Sequence, residues 1–243
     1  MKLFVIATAD AAFREAWRHR WALLKALVVP AGVAAAAGVL VERHEGDLGW
    51  LIVCLAATVV ASVLFAVACH RTVLLGEDSL PRRWPLWWSG REWRYVGWSL
   101  AIVVVLIPIM VVWIPLTGFL IKTLPRALTD LGDGKVFIWI VYAPIYYVGT
   151  RISLVLPAAA VDRRTQLGEA WRLSRGNGWR LAIALVIPGG LLSLFAWLLG
   201  LVFDAPEGVV LKVALATAYG ILGAVTVTVV SVAYRTLSSN QGR

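Results

Sequence analysis

The chain alternates long apolar runs with short polar segments. Runs without Asp, Glu, Lys or Arg cover 48–70, 95–121, 181–203 and 213–234, each 22 to 27 residues long. A bilayer core of about 30 Å is crossed by roughly 20 apolar residues of helix, so each run is long enough to span. Two further runs are interrupted near one end. The run 21–41 contains only Lys25, one turn inside, where a lysine snorkels to the interface. The run 136–150 ends at Arg151, and ten more uncharged residues follow over 152–161. The pattern predicts six transmembrane helices. Polar residues do not alternate with period two, which argues against barrel strands.

Composition fixes the solvent. Hydrophobic residues make up 60% and charged residues 15%, against roughly 45–50% and about 25% in soluble domains. Mean hydropathy is +0.79 and Trp occurs 13 times. So few charges do not cover a soluble globule of 243 residues. Counting Lys25 and Arg151 with the linkers they adjoin, 18 of the 23 basic residues fall before helix 1, between 2 and 3, between 4 and 5, and after 6. The opposite loops hold Arg43, Lys122, Arg126, Lys135 and Lys212. The positive-inside rule then puts both termini in the cytoplasm. The net charge of +9 follows these linkers, which implies anionic lipid rather than nucleic acid as partner. The first nine residues, with a short apolar core and a basic cluster after it, do not form a cleavable signal.

A threefold internal repeat overlies the spans. Three segments open alike: Glu15-Ala16-Trp17-Arg18, Arg91-Glu92-Trp93-Arg94 and Glu169-Ala170-Trp171-Arg172. Each leads into an apolar helix with a proline (Pro30, Pro108, Pro188), and each second helix closes on an arginine (Arg71, Arg151, Arg235). The units run over about 8–75, 88–160 and 165–236 within a single integral membrane domain. Two spans per unit is an even number, so the copies share one orientation, as parallel repeats about the membrane normal. In the first opening segment Phe13, Trp17 and Trp21 recur every four residues among Arg14, Arg18 and Arg20. This describes an amphipathic helix in the headgroup region. The third copy predicts a helix over 165–174 with a C-terminal stop at Gly176. The middle copy is looser, with Trp84, Trp87 and Trp88 before Gly90 and a helix starting near Arg91. Ala216, Gly220, Ala224 and Thr228 form a small-residue stripe for close helix contact.

Two stretches carry a family resemblance. Arg151-Ile-Ser153-Leu-Val-Leu-Pro157-Ala-Ala-Ala-Val-Asp162, followed by Glu169-Ala-Trp171-Arg172-Leu-Ser174-Arg175-Gly176-Asn177, resembles the bacterial glycerophosphoryl diester phosphodiesterase membrane-domain family. The likeness is specific over about 140–180 and diffuse elsewhere. It implies a six-helix protein of bacterial inner-membrane type. The family takes its label from proteins in which such a region is fused to a catalytic barrel. Spans consume this chain, so the resemblance implies no hydrolysis.

Catalytic constellations are missing from the sequence. His19, His44 and His70 lie in three different linker regions, and Cys54 and Cys69 sit about 22 Å apart along one predicted helix. Neither set makes a metal site, and no nucleotide-binding or metalloprotease motif occurs. No cofactor is expected. All fourteen carboxylates fall in linkers, which argues against proton- or sodium-coupled transport. Arg151 has two readings. If its helix runs straight to residue 161, the charge lies in the hydrocarbon and needs Asp162, Glu169 or a lipid phosphate, helped by Ser153 or Tyr147. If Pro157 bends the chain, Arg151 is an interfacial anchor.

The sequence therefore predicts an all-α polytopic membrane protein: six transmembrane helices as three tandem helical hairpins, with cytoplasmic amphipathic helices. The expected function is non-enzymatic, the binding of anionic lipid headgroups in membrane homeostasis or lipid handling. The residues expected to carry it are Arg71, Arg151, Arg235, Trp171, Arg172 and Arg175. The alternatives are a small-solute or ion pathway, and a membrane subunit of a lipid phosphodiesterase or other enzyme. A membrane-protein partner or a homo-oligomer fits either.

Overall fold

The computed structural model describes residues 2–79, 88–123, 135–202 and 209–239. Among them helix is the dominant structure and no strand occurs. Four stretches are long and apolar enough to cross a membrane: α2 (Arg20–Arg43), α3 (Leu48–Leu75), Gly90–Phe119 within α4 (Gly90–Thr123), and Thr217–Ser238. The remaining helices are α1 (Val5–Arg18), α5 (Lys135–Ile152), α6 (Val155–Ala160), α7 (Leu167–Leu173) and α8 (Gly178–Val202); α9 (Val209–Ser238) carries the fourth stretch. Only 6% of the apolar window in α4 is buried, and Val104, Val111 and Val112 lie exposed along it. Water would penalise such a face heavily, whereas lipid solvates it.

Local sequence sets the helix ends. The Asp47 carboxylate accepts from the N–H groups of Gly49 and Trp50, at 2.8 and 3.3 Å, and starts α3. Glu92, almost fully buried, accepts from the Ser89 N–H at 2.8 Å at the head of α4. α4 then continues without a break, so the middle opening segment is the first turn of a long helix and not a separate short one. Trp84 and Trp87 lie outside the described residues. The run 136–161 is interrupted: α5 stops at Ile152 and a turn at Ser153–Leu154 precedes α6. Pro157 contributes to the stop. It lacks the N–H that would bond Ser153, and its ring crowds that carbonyl. Pro30, Pro108, Pro115, Pro144 and Pro188 remain inside their helices.

α2 packs most extensively on α3, α8 packs on α9, and α5 packs equally on α4 and α8. α9 also touches α1, α2 and α3, and half of its apolar window is buried. One core joins Leu154, Val155, Leu181, Val229 and Ala233 with Leu3 and Ala12 from the start of the chain. Another joins Leu23 and Leu27 of α2, Phe65 and Ala68 of α3, and Ala224 of α9. Apolar surface is not driven together in lipid, so small residues that admit close approach matter most. Ala224 and Thr228 are buried in this way; the Ala216 side chain is outside the described ones. The chain's start is tied to a distant segment: the Leu3 N–H donates to Asn177 Oδ1 at 2.7 Å, and Arg180 donates to the Leu3 carbonyl at 3.2 Å.

A basic cleft as candidate functional site

Arg71, Arg151 and Arg235 end three of these helical stretches, and each spends its guanidinium on protein. Arg235 donates to Glu15 of α1 at 2.7 Å. Arg71 donates to the carbonyls of Ser79 and Ala160, and lies 3.5 Å from Asp162. Arg151 is buried, and its partners are not the acids considered from sequence. Its Nε donates to Ser174 Oγ at 2.9 Å, Nη2 to the Trp171 carbonyl at 2.8 Å, and Nη1 to the Tyr147 hydroxyl at 3.4 Å. The guanidinium lies 3.5 Å from the centre of the Trp171 ring. A planar fork suits this arrangement, because it donates in several directions while stacking through its face. Ser153 bonds instead to the Thr150 carbonyl.

α1 presents its aromatic side outward. Trp17, and Trp21 in the first turn of α2, are exposed, while Thr8, Ala9 and Ala12 of α1 face the protein. Glu15 sits on the docked side with Arg235, Arg18 and His19 around it. Burial alone would raise its pKa, but the hydrogen bond and charge of Arg235, with Arg18 and His19, outweigh burial and hold the carboxyl below its ordinary value of 4.5. A depressed folded-state pKa contributes stability that is complete above the unfolded value and lost as pH falls through the folded one. The melting temperature is therefore expected to drop on acidification below about pH 4.5 more in the wild type than in Glu15→Gln, as a pH series of thermal melts would measure.

Beside this end of the bundle, α4, the turn after α6 and the start of α7 enclose an open cleft of about 870 Å³. Its basic lining is Arg94, Arg163, Arg164 and Arg172, with Trp98 at one wall. Asp162 builds the turn. Its φ of 61° is left-handed, a conformation Asp adopts more readily than most residues, and the Arg163 N–H folds back to the Ala158 carbonyl at 2.9 Å. The Asp162 carboxylate meets Arg94, Arg91 and Arg71 together, which draws α4 against the segment carrying Arg163 and Arg164. The one carboxylate lining the cleft, Glu169, accepts from Thr165 Oγ at 3.0 Å. Arg163, Arg164 and Arg172 are exposed, and their guanidiniums have no hydrogen-bond or ion-pair partner among the described residues. Arginine forks match phosphate geometry, so the cleft offers three uncommitted anion ligands beside an aromatic wall.

Of the residues singled out from sequence, Arg172 lines this cleft, Trp171 supports Arg151, and Arg175 is exposed without lining it. In the sequence Arg94 stands out only as part of the middle opening segment, and Arg163 and Arg164 only as two of the basic residues that set orientation. The adjacent pair Arg163-Arg164, six residues after a helix-stopping proline, is the signal that would have raised them.

His70 belongs to the interior. Ser231 Oγ donates to the Val227 carbonyl, so His70 Nδ1–H donates to Ser231 at 2.7 Å, leaving Nε2 to face the Tyr95 hydroxyl at 3.4 Å. The chain ties α3, α4 and α9 together. Among the described residues, no three His, Cys, Asp or Glu side chains are grouped to hold a metal ion. No family model, no curated protein and no solved structure matches this chain.

Proposed function

We propose that this is a non-enzymatic multi-pass protein of the bacterial inner membrane that binds anionic lipid headgroups in the basic cleft, in support of membrane homeostasis or lipid handling. In this reading six spans form three parallel hairpin units over about 8–75, 88–160 and 165–236, with both termini in the cytoplasm. The arginine contacts support the repeat. Arg151 of the second unit meets Trp171 and Ser174 at the opening of the third, and Arg235 of the third meets Glu15 at the opening of the first. Arg71 of the first shares Asp162 with Arg91 and Arg94 at the opening of the second. Two closing arginines thus reach the opening of the next unit directly, Arg235 returning from the third to the first, and Arg71 is joined to the opening of the second only through Asp162. The resemblance over about 140–180 implies the same membrane class.

The observation that carries the function is the set of three arginines, unpartnered among the described residues, that line one cleft with Trp98. A basic residue placed near an anionic headgroup contributes about 1 kcal/mol. Lipid that binds only the folded protein raises its melting temperature by mass action. Phosphatidylglycerol added to the detergent-solubilised protein is expected to raise the melting temperature more than phosphatidylcholine with the same acyl chains. Equal shifts for the two lipids would count against headgroup recognition.

A further inference from the structure

A second feature lies between α1, α2 and α9. There a groove of about 340 Å³ is lined by apolar and aromatic side chains, among them Phe13, Trp17, Leu24, Leu27 and Ile221, with one exception, Arg20. Leu24 and Ile221 are exposed, so the groove opens on the side that a bilayer would cover. Its depth is set by a close approach. A Cβ at position 220 would stand 2.1 Å from Leu27 Cδ1, so Gly220 lets the Leu27 side chain sink against α9. Along α2 the groove runs from Arg20 to Leu27, about 10 Å of helix.

Arg20 is braced at one end of this groove. Its guanidinium lies over the rings of Trp17 and Trp21, at 5.0 and 5.6 Å from their centres, and one N–H donates to the Trp17 carbonyl at 3.1 Å. Among the described residues it has no carboxylate partner. Four of the five N–H donors of an arginine are then free, held by two aromatic faces at a fixed place. An apolar slot with a single, positioned, unmatched cation at its end complements one molecule with a phosphate at one end and a hydrocarbon chain at the other.

We infer that this groove is a phospholipid site distinct from the basic cleft: Arg20 takes the phosphate, and one acyl chain lies along Leu24, Leu27 and Ile221. The inference rests on the membrane-spanning part of the proposed function and is independent of what the cleft binds. The occupant is a lipid of the leaflet that α1 faces. A second copy of the chain or another apolar helix would leave the Arg20 charge unmatched.

The test is photo-crosslinking of the full-length protein in nanodiscs, with a diazirine on the acyl chain of phosphatidylglycerol and, separately, of diacylglycerol, followed by peptide mapping. Adducts of the phosphatidylglycerol probe should concentrate on Leu23–Leu27 and Ile221–Val225 and exceed those of the diacylglycerol probe. Arg20→Gln should abolish that excess. Ile221→Trp, which adds bulk at an exposed wall without touching a core, should cut adducts by more than half. Removing the cleft arginines (Arg163→Gln, Arg164→Gln, Arg172→Gln) should leave the groove adducts unchanged. The assignment is overturned by adducts spread evenly over the exposed faces of α3 and α4, by crosslinks into a second copy, by yields unaltered in Ile221→Trp, or by a parallel loss in the cleft variant.

Discussion

Replacing Arg163, Arg164 and Arg172 together by glutamine is expected to weaken binding of a soluble short-chain phosphatidylglycerol by about 100-fold. Three basic residues at about 1 kcal/mol each sum to roughly 3 kcal/mol, and each 1.4 kcal/mol is about tenfold in affinity. The side chains are exposed and have no partner within the protein among the described residues, so their loss should not disturb folding. An unchanged melting temperature without lipid would verify that. Screening adds a second signature. Because the Debye length shrinks from about 10 Å at 0.1 M salt to about 3 Å at 1 M, wild-type affinity should fall steeply with salt and that of the variant only weakly. Trp98 lines the same cleft, so the fluorescence change that Trp98→Phe removes provides a readout of the titration.

Arg151→Met is expected to act on stability, by about 2–4 kcal/mol, because it removes three hydrogen bonds and a stacked cation from a buried position. The Trp171 carbonyl loses its guanidinium partner, while Ser174 Oγ keeps its own bond to that same carbonyl. The expected result is a melting temperature lowered by several degrees in detergent. Arg151→Lys should recover only part of it. A compact ammonium does not donate toward Ser174 and Trp171 while lying flat on an indole ring. A full recovery by lysine would mean that charge alone matters at this position, and the stacked geometry would lose its significance.

The long apolar runs were legible because a bilayer demands about 20 apolar residues and little else does. The four described stretches long enough to cross follow directly from that demand. The stop at Ile152 was half legible. Pro157 announces a break, but whether a helix bends or ends depends on what accepts its freed carbonyls, and that is set by packing. Of the partners of Arg151, Tyr147 one turn back was legible, but a backbone carbonyl and a hydroxyl 20 and 23 residues away carry no charge signature. The cleft was hidden for a different reason. Arg94 and Arg163 are far apart in the chain, and only the contact of α4 with α6, clamped by Asp162, brings them to one place. In sequence each was one more basic residue on one side of the membrane.

The most direct measurement is native mass spectrometry of the wild type and of the Arg163→Gln/Arg164→Gln/Arg172→Gln variant, each released from micelles doped equally with phosphatidylglycerol and phosphatidylcholine. The wild type is expected to retain phosphatidylglycerol in preference to phosphatidylcholine, and the variant to lose this preference. Equal retention of both lipids by the wild type, or an undiminished preference in the variant, would contradict headgroup binding in the cleft.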